Sequence, residues 1–69
     1  IGKNVWISPK TNIAGSVKIG NNTTIFSGVI IRDQVVIGNS VKIGMGSVVT
    51  KNIPDNETWV GNPAKKIEK

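Results

Sequence analysis

The chain contains no cysteine and no histidine. Without Cys there is no disulfide framework and no thiolate-held metal; without His the commonest general base and the commonest zinc ligand are missing, and no metal site is expected. Carboxylates are also scarce. Asp33, Asp55, Glu57 and Glu68 are the only four, and their spacing suggests no two-carboxylate site. Aromatic residues make up 4% of the chain and do not interleave with the scattered lysines, which argues against nucleic acid as a partner. There is no apolar run of 18 residues and no signal-peptide pattern, so no membrane span is expected and a cytoplasmic location is. At 69 residues the chain fits one small domain. Nine Lys and Arg against four acidic residues give a net charge of +5, compatible with an anionic small ligand and equally with ordinary solubility.

What the chain has is a repeat. Stepping by six from the first position gives Ile1, Ile7, Ile13, Ile19, Ile25, Ile31, Ile37, Ile43 and Val49. That period is neither helical nor a simple alternation. The next position is small at Gly2, Ser8, Ala14, Gly20, Gly38 and Gly44, and the fifth column runs Val5, Thr11, Val17, Thr23, Val29, Val35, Val41, Ser47, Ile53. The fourth column holds Asn4, Asn22, Gln34, Ser40 and Asn52 with Gly28 and Gly46. Gly and Asn tolerate positive φ, and β-branched residues suit extended segments, so each hexapeptide reads as a short strand, a turn and one inward aliphatic side chain. Such a unit cannot bury its own apolar face and must stack. The reading is an all-β parallel β-helix with three hexapeptides per coil and three coils over residues 1–54. The usual crossover rule favours a right hand.

Three coils leave both ends open, and Ile1 enters in phase with the repeat. Further coils upstream, or burial against neighbouring chains, are therefore expected, and the monomer is not expected to be stable. After Ile53-Pro54 the pattern changes. Residues 55–69 read as a C-terminal loop and tail with a short extended piece and at most a turn of helix at the end.

Stacking at 18-residue spacing aligns Pro9, Ser27 and Met45, with Lys10, Gly28 and Gly46 beside them. The two glycines either serve turn geometry alone or leave backbone exposed along a shallow groove, roughly 14 Å long at ordinary strand spacing. Trp6 stacks with Thr24 and Lys42; an outward Trp on a solenoid reads first as a subunit contact. Trp59 reads first as packing of the tail onto a coil, and second as a platform for a base. Arg32-Asp33 reads as surface solvation.

The runs Ile1–Ile7, Ala14–Asn22, Ile43–Asn56 and Trp59–Ile67 closely resemble the C-terminal half of hexapeptide-repeat acyltransferases. The closing run, residues 43–67, is the most specific part. The repeat count between Trp6 and Met45 is most similar to the sialic acid O-acetyltransferase and UDP-amino-sugar N-acetyltransferase group, while Val5-Trp6-Ile7 is also similar to the maltose and galactoside acetyltransferases. The resemblance implies a left-handed helix, a homotrimer, and acetyl-CoA in the groove between adjacent subunits with its pantetheine arm extended. It implies cofactor contacts at Trp6, Gly15, Ser27 and Met45; Gly28 and Gly46 join them from the groove line. A sugar or nucleotide-sugar acceptor is implied, activated by a His acting as general base.

That His falls about nine residues before the position of Trp6, ahead of Ile1, and Trp6 itself stands where a second, cofactor-contacting His is common. No catalytic residue is therefore assigned within the chain, and the segment alone is expected to be inert. A non-catalytic β-helix assembly module is the alternative. A γ-type carbonic anhydrase would need three His, none of which is here.

Overall fold

The computed structural model describes residues 1–67; Glu68 and Lys69, the end of the charged tail, lie outside the described residues. Eight two-residue strands come first: β1 (Trp6–Ile7), β2 (Asn12–Ile13), β3 (Lys18–Ile19), β4 (Thr24–Ile25), β5 (Ile30–Ile31), β6 (Val36–Ile37), β7 (Lys42–Ile43) and β8 (Val48–Val49). Two longer ones follow, β9 (Thr58–Gly61) and β10 (Ala64–Lys66). Every third strand lies over the one before: β1, β4 and β7 on a first face, β2, β5 and β8 on a second, β3 and β6 on a third. All these pairs are parallel, and Trp6 faces Thr24, which in turn faces Lys42. The fold is the left-handed parallel β-helix, of about three turns. Its hand is the one the resemblance implied, against the usual crossover rule.

The inward columns form the core. Ile19, Ile25, Ile31, Ile37, Ile43 and Val49, with Val29, Val35, Val41 and Ile53 between them, are each no more than 4% exposed. Fully burying each such side chain is worth about 1.5–3 kcal/mol. Burial is graded along the axis, because the first coil has a neighbour on one side only. Ile7 is 37% exposed although it occupies the same column as the buried Ile25 and Ile43.

The turns use the fourth column as the spacing suggests, and more widely. Asn4, Lys10, Ser16, Asn22, Gln34 and Ser40 have φ between 55° and 64°, with Gly28 and Gly46 at 73° and 72°. Side-chain-bearing residues thus accept a left-handed conformation that costs each about 1 kcal/mol. Asn52 departs from the column. The repeat shortens by two residues between Val49 and Ile53, ahead of the Ile53-Pro54 break read from the sequence, since Val49 pairs Ile31 and Ile53 bridges Ile37. The next left-handed residue is Asn56, and the Asn52 Oδ1 instead accepts the Val36 N–H at 2.8 Å.

The small residue after Ile is most tightly required at one corner. Asn21, Asn39 and Asp55 stack there, and their Oδ1 atoms accept the backbone N–H of Lys3, Asn21 and Asn39 at 2.8, 2.7 and 2.7 Å. A Cβ on Gly2, Gly20 or Gly38 would strike these same oxygens and the backbone beside them. Asp55, unpaired in the sequence reading, is therefore the last rung of an amide ladder.

The tail continues the helix. β9 lies parallel on β7 with Lys42 facing Thr58 and Ile43 facing Trp59, and β10 folds back antiparallel on β9. Ile53 bridges Ile37 on the third face. Trp59 packs against the core, in line with its first reading, and its Nε1–H donates to Glu57 Oε1 at 2.9 Å. Lys66 Nζ lies 3.5 Å from Glu57 Oε2. Residues 55–67 contain extended pieces and turns, with no turn of helix among them.

The ladder predicts a sharp contrast between glycines. Gly38→Ala forces apart Asp55 and its backbone and should lower stability by about 1–3 kcal/mol. Gly15→Ala, whose nearest obstacle is Asp33 Oδ1 at 4.0 Å, should be neutral within about 0.5 kcal/mol. Denaturant midpoints of the two variants check this; equal midpoints would refute the ladder as the reason for glycine.

Candidate functional site

Four of the six residues singled out from sequence meet at one corner, where the chain passes from the first face to the second. Ser27 and Gly28 lie between β4 and β5, and Met45 and Gly46 lie between β7 and β8. The Gly46 N–H donates to the Ser27 carbonyl at 2.9 Å, which fixes the two turns one above the other. A Cβ on Gly28 would sit 3.8 Å from Gly46 Cα, and one on Gly46 would meet nothing within 4 Å. The wall at this corner is bare backbone with open space in front of it. Met45 projects beside it, 74% exposed, which supplies flexible apolar surface for a chain-like ligand.

Trp6 stands outside that line, on the first face under Thr24 and Lys42. Its ring is 66% exposed, and its Nε1–H donates to Ser8 Oγ at 3.1 Å, immediately before Pro9. Gly15 belongs to another corner, between β2 and β3, beneath Asp33. Within one chain it does not join the others.

The sequence reading missed the top of the groove. The first face carries on into the tail through Lys42–Thr58 and Ile43–Trp59, and the Gly61 N–H reaches Ser47 Oγ at 3.1 Å, so the tail turn adds a further layer against the third coil at this end of the corner. Gly61 itself has φ 109°. This layer lengthens the groove by about 4.8 Å, one strand spacing. The signal in the sequence was the run Trp59-Val60-Gly61-Asn62-Pro63, which breaks the period and so escaped a search by columns. Gly44 is explained by the same contact, since Val60 Cγ2 lies 2.8 Å from where its Cβ would be.

Chemically this corner is suited to binding rather than proton transfer: its line holds no His and no carboxylate, and Lys10 gives it one basic side chain. Exposed backbone, an apolar side chain and one cation suit an extended, partly polar ligand with an anionic end.

The profile of the family described as bacterial transferase hexapeptide (six repeats) matches residues 1–32 and 17–51. The acetyltransferase domain of PglB from Neisseria gonorrhoeae FA1090, solved in complex with acetyl coenzyme A, is 40% identical, with a TM-score of 0.90 over 91% of this chain and 31% of its own. A mutant of perosamine N-acetyltransferase from Caulobacter crescentus, solved with CoA and GDP-perosamine, is 29% identical, with a TM-score of 0.97 over 99% of this chain and 32% of its own. Serine acetyltransferase from Buchnera aphidicola subsp. Schizaphis graminum (strain Sg) is 38% identical over 84 residues, covering all of this chain and 32% of its own length. A curated relative from Staphylococcus aureus (strain MRSA252) is 46% identical over 56 residues, and the match spans 81% of this chain and 28% of that protein. With residues 1–51 under the family profile, well over half of its length, the chain belongs to the bacterial transferase hexapeptide family.

Proposed function

We propose that this chain is the donor-binding β-helix of an acetyl-CoA-dependent acetyltransferase that acts on a hydroxyl or amine of a sugar or nucleotide sugar. The observation that carries the reading is the bare corner of Gly28 and Gly46, flanked by Met45. A side chain at Gly46 would fill the space where an extended pantetheine arm would lie. Two solved relatives hold acetyl-CoA or CoA, and one of them also holds a nucleotide sugar.

Acetyl-CoA supplies the reactive acetyl thioester. The residues of this chain do the holding. Gly28 and Gly46 keep the wall flat, so a ligand can reach backbone N–H and C=O groups without striking a Cβ. Met45 covers an apolar stretch of the arm, and Ser27 offers a hydroxyl to its amides. Trp6, on the neighbouring first face, provides a broad exposed ring. The proton is taken from the acceptor by a base outside this segment, the His that the resemblance puts ahead of Ile1.

Gly15 lies at a different corner of the same coil as Trp6. It reaches the donor only from a second subunit, so its role goes with a homotrimer whose grooves lie between neighbours. The outward Phe26, Ile30 and Val36, each 43–44% exposed, supply apolar surface for such contacts. That surface also favours the second reading, a β-helix serving assembly alone.

Three measurements separate these readings. Calorimetry on the protein carrying this chain should show CoA binding, and Gly46→Val should weaken it by about tenfold or more, because a β-branched residue is strained at φ 72° and occupies the groove. Unchanged affinity in that variant would remove the groove from the site. Sedimentation should give three chains per particle; a monodisperse monomer would sink the shared-groove arrangement. The 69-residue chain by itself should release no CoA thiol from acetyl-CoA beyond a buffer control, with or without acceptor.

A further inference from the structure

Ser47 is the one polar residue fully buried in the third coil. It occupies the fifth column, directly above Val29 and Thr11, where an aliphatic side chain would fill the space as well. A buried hydroxyl must find partners or cost stability. Ser47 finds two. Its Oγ–H donates to the Gly44 carbonyl at 2.6 Å, and its Oγ accepts the Gly61 N–H at 3.1 Å.

The other hydroxyls of this column serve the coils alone. Thr23 Oγ1 donates to the Gly38 carbonyl at 2.8 Å and accepts the Val41 N–H at 3.3 Å, and Thr11 Oγ1 donates to the Phe26 carbonyl at 3.2 Å. Ser47 instead joins the third coil to the tail, at the residue that tops the groove. The hairpin of β9 and β10 thus has two attachments of different kinds. Trp59, half-buried against the core and bonded to Glu57, holds its body. Ser47 holds its turn, and does so one residue from Gly46 and two from Met45.

We propose that Ser47 is a positioning residue for the donor groove: its hydroxyl latches the tail turn at Gly61 so that this turn forms the groove's fourth layer. The proposal rests on the donor-binding reading above. It predicts that the hydroxyl, rather than the volume of the side chain, sets donor affinity, although Ser47 is buried and touches no ligand.

The test uses Ser47→Val and Ser47→Thr in the protein carrying this chain, with hydrogen exchange at the Gly61 amide and calorimetric titration of CoA as the two readouts. In S47V the Gly61 amide should exchange about tenfold faster, and CoA should bind about fivefold more weakly, the scale of one hydrogen bond. S47T keeps the hydroxyl and adds a branch of the kind already present at Thr11 and Val29, so it should restore both. If S47V does not fold, S47A deletes the same hydroxyl with less change of shape and carries the same expectations. A Gly61 amide that stays protected without the hydroxyl overturns the latch. Faster exchange with unchanged CoA affinity overturns the role in the groove. Failure of the unaltered protein to bind CoA overturns the donor reading and the groove role together, and the exchange data still report on the latch separately.

Discussion

Gly2, Trp6, Ser8 and Asn12 each give their backbone N–H to a carbonyl seventeen residues on, at 2.8–3.0 Å, and the second coil does the same toward the third. Two-residue strands have no stability of their own. They persist because each is held from above or below, in a register that also brings one aliphatic side chain per hexapeptide into the bore. Hydrogen bonds and hydrophobic packing are therefore satisfied by a single condition, that coils repeat at 18 residues. Left-handed backbone at Lys10, Ser16 and Gln34 is tolerated on the same terms, since any other turn would break the register above and below it.

This dependence explains which features were visible in the sequence. The aliphatic columns could be read directly, because the period sets what is buried: Ile25, Ile31, Ile37 and Ile43 stand where counting places them. The alignment of Ser27 with Met45 and of Gly28 with Gly46 followed from the same count. The hand did not, because periodicity is blind to chirality, and it came from resemblance. The role of Gly2, Gly20 and Gly38 was hidden as well. It depends on Asn21, Asn39 and Asp55 a coil away, and Asp55 is sixteen rather than eighteen residues beyond Asn39. The tail was the largest omission. Between Val49 and Ile53 the repeat shortens by two residues, the chain re-enters the first face at an offset of sixteen, and a search by sixes cannot see Gly61 come to rest on Ser47.

The groove and the fold are thus made of the same parts. On the proposed reading, a corner becomes a binding surface where glycine fills the left-handed position, and remains a plain turn where Asn, Ser or Gln fills it. Three corners run the length of the helix with nearly identical backbone, yet only one carries Gly28 and Gly46 in line. Selection for a ligand need touch very few residues in such a scaffold, since the ladder maintains the spacing whatever the turns display.

The antiparallel return of β10 on β9 gives the two ends of the stack different characters. At the first coil the exposed edge is parallel in sense, and its half-covered aliphatics keep the six-residue beat. At the far end the outermost strand runs the opposite way and out of phase, over a bore already filled by Ile53, Trp59 and Ala64. A coil of the same repeat could extend the column from one side alone. The β-helix is in this sense a one-way structure: elongation, whether by duplication of hexapeptides or by contact with another solenoid, has a permitted direction, and the hairpin is what sets it.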